Sequence, residues 1–244
     1  MNIVAINGSP RRGKISKTYW LLEAFLNGCQ DEGADVTLIN LRDYDIKFCT
    51  GCYTCWTKTP GVCALKDDMP KVLEQLEKAD VEVWATPLYV FGPTALFKNF
   101  VDRTITIMEP FFVLEKGLCT HPHRRPNPPS KVIMSVCGFP ELDHFKPMAE
   151  WFRFMEDRGG GKIVAEIYRP AAEFLIAPPF QAKREEILEA TRKAGQELVR
   201  DGAVSQATLD IIQQDIMDQA TFIEMGNKYW QWEIDRAAQK PKNN

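Results

Sequence analysis

The 244-residue sequence predicts an α/β fold, a doubly wound parallel sheet of five strands in the order 2-1-3-4-5 with a C-terminal helical extension. Two observations predict it. Short apolar runs alternate with stretches of helical periodicity over residues 1–202, a spacing that requires right-handed crossovers and parallel pairing. The first apolar run is also followed at once by a turn of Gly and hydroxyl residues that opens a helix, which is how α/β proteins present backbone N–H groups to an anion.

Residues 3–6 (Ile-Val-Ala-Ile) are a run of the kind that forms a fully buried strand. The turn Asn7-Gly8-Ser9-Pro10-Arg11 follows, and a helical pattern then runs through Trp20, Leu21, Leu22, Phe25 and Leu26. Ser9, Ser16 and Thr18 bring hydroxyls to that turn, and Arg11 and Lys17 bring positive charge that can neutralise a phosphate dianion. Neither G-x-G-x-x-G nor G-K-[ST] is present, which leaves a site for one terminal phosphate. On residues alone, a tight turn at Gly8-Ser9 with Ser16 as a helix cap is an equally good reading.

The second strand is expected over 34–41, and a long Cys-, Thr- and Gly-bearing loop over 43–68. A helix over 69–79 has Asp67 or Asp68 placed to cap it. The third strand covers 81–86, stopped by Pro87, and a helix is expected over 94–107. Residues 109–130 carry four prolines late in the segment and are expected as an irregular excursion. Strands over 131–137 and 162–168 flank a helix over 142–157, with the break Gly159-Gly160-Gly161 before the last strand. An amphipathic helix covers 181–200. Residues 203–244 exceed what the sheet domain needs. Leu209, Ile212, Ile216, Phe222, Tyr229, Trp230 and Ile234 there imply one or two helices that cover the body or a neighbouring subunit, and the tail from Lys240 is expected to fray.

In the order 2-1-3-4-5 a ligand lies beyond the carboxyl ends of the strands, where the loops after strands 1, 3 and 4 meet. The loop after strand 3 is Pro87-Leu88-Tyr89-Val90-Phe91-Gly92-Pro93. Apolar and aromatic side chains at a ligand mouth suit a flat ring such as isoalloxazine, though Tyr89 and Phe91 could equally turn inward as core. The loop after strand 4 brings Cys137 and Gly138 to the same mouth, where a glycine permits close backbone approach. His144 nearby is read as a surface or capping residue.

Cys49-Thr50-Gly51-Cys52-Tyr53-Thr54-Cys55, with Cys63 eight positions on, places four thiols around one loop. Soft thiolates select iron–sulfur clusters or zinc over hard cations. Three readings stay open: a [4Fe–4S] cluster on Cys49, Cys52, Cys55 and Cys63; free thiols; or structural zinc. Cys119, His121 and His123 in the proline-bearing excursion are read as surface loop residues.

The stretches Gly8-Ser9-Pro10-Arg11 with Ser16 and Thr18, residues 87–92 with Lys98 and Asp102-Arg103-Thr104, and the C-x2-C-x2-C-x7-C run together resemble the flavodoxin-like, NAD(P)H-dependent FMN reductases. The cysteine run resembles their iron–sulfur flavoprotein branch. The resemblance covers residues 1–160. It implies that Ser9, Arg11, Ser16, Lys17 and Thr18 hold the FMN phosphate, that Pro87, Leu88, Tyr89, Val90, Phe91, Gly92, Cys137 and Gly138 surround the ring, and that the four cysteines ligate a cluster.

A formal net charge of −3 argues against a nucleic-acid surface, and no apolar run reaches the roughly 18 residues of a membrane span. The N-terminus shows no leader pattern, so a cytoplasmic location is expected, where seven cysteines serve as ligands, thiols or core. The expected function is an FMN-dependent oxidoreductase passing electrons from NAD(P)H or ferredoxin to a quinone, an oxygen species or another small acceptor. It is expected to work as a homodimer or homotetramer and to need no side chain as acid–base catalyst. The alternative is a non-enzymatic electron carrier or redox sensor.

Overall fold

The computed structural model describes residues 1–159 and 161–239. Gly160 of the expected glycine break and the tail from Lys240 lie outside the described residues.

Five strands form the parallel sheet: β1 (Asn2–Asn7), β2 (Asp35–Asn40), β3 (Val81–Pro87), and two later strands. Between them the chain makes a short antiparallel hairpin, β4 (Val113–Glu115) and β5 (Leu118–Thr120), so the fourth and fifth sheet strands are β6 (Ser130–Val136) and β7 (Lys162–Arg169). The order is β2-β1-β3-β6-β7, which is the expected 2-1-3-4-5 in sheet strands alone. Every pairing in it is parallel. The interior strands are buried on both faces, which is why they read as apolar runs rather than as alternation.

The hairpin corrects the expectation of an irregular excursion. Lys116 and Gly117 both take positive φ (47° and 79°), the turn that matches strand twist in a two-residue hairpin. The prolines that dominated the reading lie after β5, and an isolated bridge between Met108 and His123 closes the segment's base.

One face of the sheet carries α1 (Lys17–Asp31) and α5 (Gln181–Asp201). The two helices cross with glycine at the contact. A Cβ on Gly28 would lie 1.8 Å from the Arg192 carbonyl oxygen, and one on Gly195 would lie 2.0 Å from that of Phe25. The other face carries α2 (Met69–Leu76), α3 (Ala95–Arg103) and α4 (Lys146–Gly159). There Trp84 meets Phe97, Phe100 and Phe152 edge-on, at ring separations of 5.5, 5.7 and 6.2 Å. α2 ends at Leu76, short of its expected range, and α3 ends at Arg103 because it tightens into a 3-10 turn over Thr104–Ile107. Asp68 at the start of α2 makes no capping bond with its side chain; Asp67 instead accepts from the Met69 N–H at 3.1 Å.

α6 (Gln206–Gln213) is tied to the sheet domain: Thr208 donates to the buried Glu197 carboxylate at 2.8 Å, and Arg169 donates to the Ile212 carbonyl at 2.7 Å. The first compact unit is therefore Met1–Gln213, not 1–202, and a second begins at Gln214. Its one long helix is α7 (Gln219–Gln239), in which Tyr229 packs against Trp230 and Trp232. Among the described residues no helix is long and apolar enough to cross a membrane.

Candidate functional site

The turn after β1 is fixed from four sides. The Gly8 N–H donates to the Ala85 carbonyl at 2.7 Å, and the Thr94 hydroxyl donates to the Gly8 carbonyl at the same distance. A Cβ on Gly8 would sit 2.7 Å from the Phe97 side chain, so glycine is required for β1 and α3 to approach this closely. The Asn7 carboxamide bridges to Asn40 and accepts from the Ser9 N–H at 3.0 Å. Ser16 caps α1, accepting from the Tyr19 N–H at 3.1 Å, while its hydroxyl donates to the Ser9 hydroxyl at 2.8 Å. Ser16 thus caps α1 and lines the cavity at once.

Ser9, Ser16 and Thr18 are buried and face a single cavity with Arg11 and Lys17. Pro87, Leu88 and Tyr89 line it from the loop after β3, and Cys137 and Gly138 from the loop after β6. The three loops named from the sequence therefore converge. Val90, Phe91 and Gly92 do not line this cavity. Val90 and Phe91 form a turn at positive φ (48° and 62°), closed by paired bonds between Tyr89 and Gly92. For a β-branched residue that conformation is strained, and such strain collects at functional loops. The turn swings Phe91 outward, where it stacks with Phe139 (6.3 Å, 9°) and His144 (5.9 Å, 25°). His144 also pairs with Glu141 at 3.0 Å. Cys137 is buried, donates to the Phe139 carbonyl, and has its thiol pushed up to about 11 by burial, so it is a neutral wall of the cavity.

A second hollow is lined by Cys49, Cys52, Cys55 and Cys63, together with Leu65 and Arg103. Burial raises the Cys55 thiol first, and the charges of Cys63, Cys52 and Cys49 raise it further, so the other three sulfurs lie within electrostatic reach of Cys55. Cys52 is held down to about 7 by hydrogen bonds from the Thr54 hydroxyl and backbone and from Thr50. The hollow is anchored by a fully buried ion pair between Arg103 and Asp67. Arg103 also donates to the Lys47 carbonyl at 2.7 Å, Asn99 to that of Ile46 at 2.6 Å, and the Trp56 indole to that of Ile105 at 3.1 Å. The Arg103 Nε is buried beside the hollow with no hydrogen-bond partner. A donor set of four thiols beside the buried Arg103 guanidinium fits a sulfur-rich anionic cluster. Among the described residues no three His, Cys, Asp or Glu side chains surround a point as for a single metal ion. His121 is engaged otherwise, against Trp56 at 4.7 Å and Phe112 at 4.8 Å.

Residues 1–114 match the family described as NADPH-dependent FMN reductase. Over 104 residues the chain is 40% identical to an iron–sulfur flavoprotein of Archaeoglobus fulgidus, an alignment covering 43% of this chain and 49% of that protein. Residues 1–114 are thus similar to the FMN reductases, and the chain to iron–sulfur flavoproteins. The chain spans about half the length of the curated relatives it matches. In fold, it is similar to an NAD(P)H:quinone oxidoreductase from Methanothermobacter marburgensis, with a TM-score of 0.60 at 20% identity over 81% of this chain and 96% of the other. It is similar too to an FMN-dependent NADH-azoreductase from Bacillus anthracis in complex with FMN, with a TM-score of 0.60 at 14% identity over 82% and 100%. These establish the flavodoxin-like fold that the family shares.

Three residues that line this cavity escape the sequence reading: Val136 at the end of β6, and Ala172 and Glu173 on the turn after β7. Only the loops after strands 1, 3 and 4 were expected to meet. The remaining signal was an acidic residue just past the last strand, in Pro170-Ala171-Ala172-Glu173.

Proposed function

We propose that the chain is an FMN-dependent oxidoreductase that takes electrons from NAD(P)H, or from ferredoxin, and passes them to a quinone, an oxygen species or another small acceptor. The observation that carries this reading is the single cavity in which the hydroxyl- and cation-bearing turn after β1 meets the loops after β3 and β6. In it Ser9, Ser16 and Thr18 donate to the FMN phosphate and Arg11 and Lys17 neutralise it. Leu88 and Tyr89 cover the ring and exclude water, while Gly138, whose Cβ position is open, leaves room for its polar edge. Val90, Phe91 and Gly92 act as the strained turn that sets Tyr89. When bound, the flavin supplies the acceptance and donation of electrons, and the chain supplies its orientation. The aromatic wall of Phe91, Phe139 and His144 is the surface on which a flat acceptor would lie.

Cys49, Cys52, Cys55 and Cys63 are proposed to hold a [4Fe–4S] cluster, which supplies one-electron chemistry. The support is the shared hollow, the crowded sulfurs and the name carried by the relatives. The assembly is proposed to be a homodimer or homotetramer, on the aromatic run of α7.

The test is composition after anaerobic purification. The expected result is one FMN per chain with about four iron and four sulfide. Cys52→Ser should lose the iron and keep FMN, since no cysteine of that loop lines the flavin cavity. Stoichiometric zinc, or neither metal, would remove the cluster and leave a plain FMN reductase. Absence of FMN binding would remove the whole reading.

A further inference from the structure

Glu173 lies where the phosphate of a flavin is expected. The turn that carries it is clamped to the loop after β6: the Ala171 N–H donates to the Phe139 carbonyl at 2.6 Å, and the Ala172 N–H to the Cys137 carbonyl at 2.9 Å. Ala171 adopts a positive φ of 48° to make this turn. From it the Glu173 side chain reaches back across the sheet's carboxyl end to α1. One carboxylate oxygen meets Arg11 Nη1 at 2.6 Å and the other meets Lys17 Nζ at 2.7 Å. Lys17 is only 7% exposed, so its charge has few other directions in which to be met. Both cations assigned to the phosphate are thus already held by one carboxylate of this chain.

Burial pushes the Glu173 carboxyl up, but the bonds from Lys17 and Arg11 outweigh it and hold it below the usual glutamate range. Glu173 is therefore ionised at neutral pH. A phosphate monoester entering beside it brings about 1.5–2 further negative charges onto the same two cations. Like charges sharing a site repel, and the carboxylate must swing out or weaken its hold.

We propose that Glu173 is a tethered competitor of the FMN phosphate, holding Arg11 and Lys17 when the site is free and lowering the affinity for phosphorylated flavin when it is filled. The proposal rests on the assignment of this cavity to FMN. Its consequence is a flavin that exchanges with the surrounding pool more readily than the five-residue cradle alone would allow.

The test is titration of the flavin-free full-length protein with FMN and with riboflavin, followed by flavin fluorescence. Glu173→Gln keeps the shape and removes the charge. It should tighten FMN about tenfold and slow its release, while leaving riboflavin, which has no phosphate, within about twofold. Glu173→Ala should do the same, which guards against an effect of the amide itself. Unchanged or weaker FMN binding in both variants would overturn the proposal, because Glu173 would then be orienting the cations rather than competing for them. Equal tightening of FMN and riboflavin would overturn it as well. Those outcomes leave FMN as the ligand. Failure of the unmodified protein to bind FMN would instead remove the reading on which the proposal rests, and the proposal with it.

Discussion

At the scale of single residues, the turn after β1 gathers the proposed phosphate contacts into few side chains. Arg11 and Ser16 should be the most informative pair to remove. Arg11→Ala with Ser16→Ala loses one charge-assisted and one neutral hydrogen bond to phosphate, together about 2–4 kcal/mol. FMN affinity should fall by that amount, and the loss of the α1 cap should lower stability by only about 1 kcal/mol, leaving the fold intact by circular dichroism. Equilibrium flavin titration beside a thermal melt separates the two effects. An unchanged affinity would take this turn out of the site. The residues concerned were legible in the sequence because a phosphate turn is local: strand, hydroxyls and helix start follow one another along the chain. Glu173 was not legible, since its role comes from a 162-residue return of the chain to Arg11. Phe91 was only half legible. Its aromatic character marks the loop, but the positive φ at Val90 and Phe91, which turns the ring outward, leaves no trace in residue type.

At the scale of elements, the cysteine loop has almost no regular structure of its own and is held by α3. Its anchor is the Asp67–Arg103 pair, with side-chain exposures of 0% and 1%. Removing one partner of a buried pair strands the other charge, at about 3–5 kcal/mol. Asp67→Asn should therefore destabilise the protein by roughly that much. Burial pushes the Asp67 carboxyl up, but Arg103 and the N–H groups of Lys47 and Met69 hold it below the usual range. A carboxyl lowered in the folded state adds stability at neutral pH and loses it as pH falls through its folded value. Urea melts of the unmodified protein should thus weaken on the acid side, below the ordinary aspartate range near 4, more steeply than melts of Asp67→Asn. Parallel pH profiles would exclude this anchor as a source of the dependence. The C-x2-C-x2-C spacing marks the thiols that line the hollow, yet Asp67 reads only as a candidate helix cap and Arg103 only as part of the Asp102-Arg103-Thr104 stretch. The hairpin was lost for a related reason, because four prolines in a short segment outweigh a Lys-Gly turn in any reading by composition.

At the scale of the whole molecule, every residue lining the flavin cavity and the cysteine hollow belongs to the unit that ends at Gln213. A chain ending at Gln213 should fold, with Thr208 and Ile212 still tying α6 to the sheet, and should bind FMN within about twofold of the full chain. If α7 carries the subunit contact, the same truncation should lower the mass seen by light scattering at micromolar concentration. Loss of flavin on truncation would place part of the site beyond Gln213. The sheet order was readable from the alternation of elements, whereas the boundary was not. α6 joins the body through the buried Ile212, which the apolar pattern reports, and through hydrogen bonds at Glu197 and Arg169, which it does not.

The nine residues of α3 join the two sites end to end. At its N-terminus Thr94 and Phe97 press on Gly8, and at its C-terminus Arg103 grips the cysteine loop. At 1.5 Å per residue this helix is a strut about 13 Å long. The distance from the turn after β1 to the Asp67–Arg103 anchor is therefore set by the residue count of one rigid element. A single inserted residue would lengthen the strut little but turn its far end by about 100°, pointing Arg103 away from Asp67 while the flavin end stayed seated. Length and phase are locked together in this gauge, so the turn and the anchor keep both their contacts only for insertions close to a helical turn.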